Sequence, residues 1–113
     1  MDCIFCKIID GTIPSKKAYE DETVLAFHDI SAQAPVHVLI IPKRHIESVL
    51  KLERSDDELL GHMFCVAQTL AKELGLEEKG FRLVYNTGED GGQTVMHMHM
   101  HLLGGRSLSW PPG

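Results

Sequence analysis

His97-Met98-His99-Met100-His101-Leu102-Leu103 alternates imidazole with thioether or aliphatic side chains. Successive side chains of a strand point to opposite faces, and neighbours on one face sit about 6.6–6.8 Å apart. Read as a strand, the segment turns His97, His99 and His101 to one side and Met98, Met100 and Leu102 to the other. The apolar face must be core, which leaves a row of imidazoles on the second face. Three close imidazoles do not all carry charge near neutrality, because like charges depress one another's pKa. Neutral imidazole is both a nucleophile and a metal ligand. Two chemistries follow. Either the three rings clamp one metal ion and activate water, or one histidine attacks a substrate while its neighbours orient it and handle protons. Spacing alone does not choose between them.

Outward from this run, the pattern predicts a long strand from Thr94 to Leu103, ended by Gly104-Gly105. Before it lie a glycine-rich turn from Gly88 to Gly92 and a strand from Phe81 to Tyr85. Thr23 to Phe27 reads as another strand, followed by a turn region from His28 to Pro35. The β-branched run Val36 to Ile41, closed by Pro42, reads as a central strand. Ile4 to Ile9 predicts a short helix ended by Gly11 and Pro14. One long helix is expected to start at the capping box Ser55-Asp56-Asp57-Glu58. It carries apolar residues at Leu59, Met63, Val66, Leu70 and Leu74 and stops at Gly75. Cys65 falls on its apolar face and reads as a small buried hydrophobe. The strands group in antiparallel pairs and do not alternate with helices, so the expected class is α+β.

A length of 113 residues suits one domain over 1–113. The net charge of −5 runs against a nucleic-acid surface, and the pairs Lys16-Lys17 and Lys43-Arg44 read as solvated. No stretch is long enough to span a membrane, and Met1 to Gly11 lacks the pattern of a secretory signal, so a cytoplasmic location is expected. Three cysteines without such a signal argue against a disulfide framework. The pair Cys3-x-x-Cys6 by itself fits a redox pair, half of a metal site or coincidence.

The run H-M-H-M-H-L-L resembles the signature of the histidine-triad (HIT) superfamily, in which three histidines alternate with apolar residues. F-H-D-I-S-A-Q-A-P at 27–35, H-V-L-I-I-P-K-R-H-I at 37–46 and G-G-Q-T-V at 91–95 are similar to its Hint branch. So are L-L-G-G-R at 102–106 and the terminal W-P-P-G. The resemblance covers nearly the whole chain. It implies a HIT-like α+β fold: an antiparallel sheet with one long helix and a short N-terminal helix, dimerising into one continuous sheet. It also implies a purine nucleoside phosphoramidase that splits AMP or GMP from an amine through a nucleotidyl-histidine intermediate. The middle histidine, here His99, is then the nucleophile. His101 contacts the phosphate and passes a proton to the leaving amine, and His97 and His37 support the network.

The same resemblance places Gly91, Gly92, Gln93, Thr94 and Asn86 near the phosphate, and Asp29 on the ribose. Many Hint sequences carry Ser where Thr94 stands. Phe5, Ile8, Phe27, Ile30 and Leu39 become the walls of a base pocket, and Trp110 lies near the active site of the dimer. Read from the residues alone, the glycine run is a plain turn and Asp29 an Asx-type turn residue. Related nucleotidyltransferases carry Gln at the position of His101, which counts against that activity. A dinucleoside polyphosphate hydrolase or a nucleotide-binding regulatory protein is the alternative. No cofactor is implied for catalysis. Some bacterial members complete a structural zinc site with two cysteines and two histidines, which places Cys3, Cys6, His45 and His97 around the ion. His28 receives no role, and His62 reads as a polar packing or solvent-facing residue.

Overall fold

The computed structural model describes residues 2–113. Its elements in chain order are α1 (Ile4–Ile9), β1 (Lys17–Glu20), β2 (Val24–His28), β3 (Val36–Pro42), α2 (Asp57–Glu73), β4 (Phe81–Tyr85) and β5 (Met100–Gly104). The strands form one sheet in the order β1-β2-β3-β5-β4, with every neighbouring pair antiparallel. The expected α+β architecture of an antiparallel sheet with one long and one short helix is therefore present.

Both faces of this sheet are covered, which is why β3 is apolar almost throughout. The two-residue period sorts its side chains. Val38 and Ile40, with Val24, Ala26, Met100 and Leu102, meet Met63, Val66 and Leu70 of α2 in the main core. Leu39 and Ile41, with Leu25 and Phe27, turn to the opposite face and pack on Phe5 and Ile8 of α1. Each such side chain contributes about 1.5–3 kcal/mol on full burial. The same period sends Met100 and Leu102 towards α2 and His101 towards α1.

Three local expectations need correction, and one strand carries no sequence signal. The predicted strand from Thr94 begins at Met100. The β3 register pairs Ile40 with Met100, so continuing it would set Ile41 opposite His99 and Pro42 opposite Met98, and Pro42 has no N–H to give. The chain turns away there, and Met98 N–H instead meets the Ile46 carbonyl at 2.6 Å. The helix begins at Asp57 after a single tight turn, and the cap is not Ser55. A carboxylate outcompetes the hydroxyl: Asp56, ion-paired with Arg44, accepts the Glu53 N–H at 2.9 Å.

Cys65 is exposed. The buried stripe runs Met63, Val66, Ala67, Leu70, Ala71, and Cys65 falls beside it. Strand β1 was not foreseen, because K-A-Y-E is polar and half-exposed, as suits a sheet edge. Gly75, by contrast, stops α2 as expected. It sits at φ +76°. Its N–H donates to the Lys72 carbonyl and Leu76 N–H to that of Ala71, which makes a Schellman closure.

Leu102 is fully buried between β3, β4 and α2. Leu102→Ala is expected to cost about 2–5 kcal/mol of unfolding free energy in urea titration. A loss below ~1 kcal/mol would contradict the packing described.

Candidate active site and metal-ligand cluster

Strands β3 and β5 place His37 and His101 diagonally across one face, with Leu39 opposite His101. The rings meet: His37 Nε2 lies 2.9 Å from His101 Nδ1. Proton positions on this pair follow from the outermost contact. The backbone N–H of Gln33 donates to His37 Nδ1 at 3.0 Å, so Nδ1 holds a lone pair and the ring proton sits on Nε2. His37 Nε2–H then donates to His101 Nδ1, and the proton of a neutral His101 must reside on Nε2. That atom is buried and has no hydrogen-bond partner among the described residues. Asp29 Oδ2, 3.5 Å from His37 Nε2, favours the same arrangement.

His99 lies just before β5 and is buried. Its Nδ1–H donates to the carbonyl of His97 at 2.7 Å, which leaves the lone pair on Nε2. The Phe5 ring stands perpendicular to the His99 ring at 5.1 Å between centroids, and the His101 ring is 4.9 Å away. Burial, then the neighbouring imidazoles of His99 and His37, push the pKa of His101 down to about 4, against the pull of Asp29. Burial likewise lowers that of His37, with Asp29 opposing.

His97 faces elsewhere. Fully buried, it donates Nε2–H to the Pro42 carbonyl at 2.8 Å. Its Nδ1 lone pair points among Cys3 Sγ (3.4 Å), Cys6 Sγ (3.6 Å) and His45 Nδ1 (3.2 Å), and Cys6 Sγ is 3.4 Å from His45 Nδ1. All four donor atoms lie within 4.8 Å of one another. Zinc bonds of ~2.3 Å to sulfur and ~2.05 Å to nitrogen at the tetrahedral angle imply ligand separations of about 3.6 Å for S–N and about 3.3 Å for N–N. The observed spacings match those edges, so these residues fit a tetrahedral ion. The Pro42 contact supplies the outer hydrogen bond that such a histidine ligand needs. Cys3 also caps α1 by accepting the Cys6 N–H, so the ligand pair sits on the first turn of that helix.

No ion is gripped by the three triad histidines together, since their rings turn to different partners. Asp29, His37 and His101 form a second close group. Coordination through His37 Nε2 would leave that ring without a proton on either nitrogen, so the group is a hydrogen-bonded chain.

Next to these rings a cleft of about 470 Å³ opens between α1 and the end of β2. Phe5, Ile8, Phe27, Asp29, Ile30 and Leu39 all line it. Ile30 departs from the expectation in one respect: it stands fully exposed at the rim. Ile13, Pro14, Ser15, Lys16 and His28 also line the cleft and were not anticipated. The first four come from the connection between α1 and β1, whose sequence signals are Gly11 and Pro14, and His28 ends β2. Asp29 is an Asx-turn residue, its Oδ1 accepting the Ser31 N–H, and its Oδ2 faces the histidines.

The glycine loop is arranged differently from expectation. Gly92 N–H donates to the Glu89 carbonyl and Gln93 N–H to that of Gly88, so neither is free for an anion. The Gln93 amide is buried and turned inward. It accepts the Gly88 N–H and donates to the carbonyls of Glu47 and Val95. Gln93 braces the loop. Gly91 is required there, because a Cβ would stand 2.3 Å from the Thr87 carbonyl oxygen. Thr94 is exposed and Asn86 half-buried. Trp110 is exposed in the tail. His62 packs against Asp21, tying α2 to the β1–β2 turn.

The HIT domain family matches residues 10–108, and the chain belongs to the HIT family. An uncharacterized HIT-like protein of Synechococcus elongatus is 53% identical over 112 residues, covering 99% of this chain and 97% of that one. The crystal structure of a HIT family hydrolase from Legionella pneumophila superposes with a TM-score of 0.98 at 51% identity, covering 99% of this chain and all of that one. A histidine triad nucleotide-binding protein from Candida albicans superposes with a TM-score of 0.84 at 37% identity, covering 97% and 83%.

Because the folded pKa of His101 lies below the unfolded value, the unfolded chain binds more protons as pH falls from about 6.5 towards about 4. Stability contributed by this ring is complete above that window and is lost through it. Ring NMR should show His101 unprotonated at pH 5.5, with Nε2–H as its only ring proton. A midpoint above 6 would contradict the burial described.

Proposed function

We propose that this chain is a purine nucleoside phosphoramidase that acts through His99. The observation that carries this reading is the free Nε2 lone pair of His99. Its other nitrogen is committed to the His97 carbonyl, and the ring stands against Phe5, which on its other side lines a cleft sized for a nucleoside. Neutral imidazole attacks without first losing a proton. Family membership and the Candida albicans relative, described as nucleotide-binding, support a nucleotide in that cleft.

In the proposed reaction the base lies among Phe5, Ile8, Phe27, Ile30 and Leu39, and Asp29 accepts from the ribose hydroxyls. His99 Nε2 forms a bond to the α-phosphorus as the bond from phosphorus to the amine nitrogen breaks. The His37–His101 pair lends the departing amine a proton from His101 Nε2. Water then attacks the phosphorus and the P–Nε2 bond breaks. One water proton restores His101 and the second passes to solvent, from which the amine already released takes up a proton to become ammonium. Nucleoside monophosphate is released and His99 returns to neutral imidazole. Thr94 and Asn86 flank the phosphate, with Gly92 and Gln93 shaping the loop that presents them.

We also assign Cys3, Cys6, His45 and His97 to structural zinc. A bound ion supplies folding energy by cross-linking α1 to the sheet, and its four positions are all filled by protein side chains. The exposed Phe64 and Phe81, beside the unpaired edge of β4, support a homodimer that extends the sheet. The location proposed is cytoplasmic, since the cluster needs reduced thiols.

Hydrolysis of adenosine 5′-phosphoramidate, measured with and without excess EDTA, tests the mechanism. Wild type should turn over in both conditions, and His99→Ala should lose at least ~10³-fold in kcat. Inactive wild-type protein would sink the phosphoramidase reading. Elemental analysis of protein purified without added metal should find one zinc per chain, and Cys6→Ser should lose it. Wild type that retains only a small fraction of one zinc would remove the metal assignment.

A further inference from the structure

We infer that Arg106 is a positioning residue that sets which nitrogen of His101 carries the proton. This rests on the phosphoramidase reading only for its catalytic consequence. Arg106 follows β5 in the Gly104-Gly105-Arg106 turn. Its guanidinium grips one acceptor twice: Nε and Nη2 donate to the Gln33 carbonyl at 3.0 and 2.9 Å. Its Nη1 donates to the Ser107 carbonyl at 3.0 Å, so the fork is held from its own side as well. Gly105 brings this turn against the same loop, since a Cβ there would meet the Pro35 ring at 2.9 Å. The loop that Arg106 holds is the one whose Gln33 N–H reaches His37 Nδ1.

The consequence is a chain of fixed donors. Gln33 N–H holds the lone pair of His37 on Nδ1, so His37 Nε2–H donates to His101 Nδ1 and His101 keeps its proton on Nε2. Were Gln33 to drift, His37 could take its proton on Nδ1. The inter-ring hydrogen bond would then reverse, and His101 would present a lone pair where the substrate needs a donor. Asp29 Oδ2 lies 3.5 Å from His37 Nε2, too far for a good hydrogen bond, so in the free protein it biases the ring against that reversal without preventing a mixture. In the proposed complex Asp29 is engaged by the ribose, and the Gln33 N–H becomes the remaining control. Arg106 touches neither ring and acts only through the backbone of Gln33. Neutral rings can exist in either tautomer, so a geometric lock decides between them.

Nitrogen-15 ring NMR of the ligand-free, metal-loaded protein reads the tautomers directly. Wild type should show His37 and His101 each in the single Nε2–H form. Arg106→Gln should give mixed tautomers at both rings. Arg106→Lys, which restores one cationic donor, should return most of the wild-type signature and report on the lock if the glutamine variant fails to fold. Arg82→Gln frees the tail carbonyls of Leu108 and Ser109 and should leave both tautomers unchanged. With adenosine 5′-phosphoramidate, Arg106→Gln should lower kcat about 10–100-fold with KM little changed. Unchanged tautomers in folded Arg106→Gln would overturn the inference whatever the rate. Mixed tautomers in a protein whose wild type hydrolyses no phosphoramidate would uphold the lock and reject the proposed substrate.

Discussion

His97 makes three commitments at once, and the rest of the site depends on them. Its Nε2–H closes on the Pro42 carbonyl at the end of β3. Its Nδ1 joins the thiols of α1 and the ring of His45. Its own carbonyl takes the Nδ1–H of His99. One residue therefore ties the central strand to the N-terminal helix and fixes the tautomer of the nearest reactive ring. The helix so held carries Phe5 and Ile8, which wall the cleft, and Phe5 stands edge-on against His99. The cleft and the orientation of His99 are thus consequences of one set of contacts.

Proline explains where these commitments begin. A strand continuing through Pro42 would have paired with Met98 and carried all three histidines on one regular face. Pro42 cannot extend the ladder, so β5 starts at Met100, and the residues before it bend onto separate partners. The alternation of the histidine run survives in part: Met98, Met100 and Leu102 still fill the main core while the imidazoles stay out of it. The regular spacing does not survive. An even row of rings would leave a shared metal ion open as a reading, whereas the bent one sends His97 to the cysteines and His45 and away from His99 and His101.

Much of the fold was legible because it rests on local period and punctuation. Val36 to Ile41 closed by Pro42, the long amphipathic stretch stopped by Gly75, and Phe81 to Tyr85 all describe one-dimensional constraints that the sheet and α2 obey. The lines that failed concern competition between groups distant in sequence. Ser55 lost the helix start to an aspartate held by Arg44, and Gln93 spends its amide on carbonyls of Glu47 and Val95. Strand β1 had no apolar alternation to reveal it. The residues Phe5, Phe27, Asp29 and Leu39 converge on one cleft, though composition alone marked them as ordinary core or turn. Ser15 and Lys16 carried no signal, because their place follows from how α1 docks.

For the phosphorylated substrate proposed, a chain with a net charge of −5 would have to find its favourable potential locally. The histidine cluster does not provide it as full positive charge, since burial holds His37 and His101 towards the neutral form. What remains is direction. A neutral imidazole offers an anion a bond dipole if its N–H points at the anion and repels it if its lone pair does. In such a site the tautomer of each ring decides between attraction and repulsion, much as the sign of a charge does elsewhere. This explains why the residues behind the rings matter as much as the rings: the His97 carbonyl for His99, and Gln33 for His37 and His101. It also explains how a small phosphorylated substrate of the kind proposed would be drawn in while the surface charge disfavours a polyanion, because the attraction reaches only as far as those oriented N–H groups.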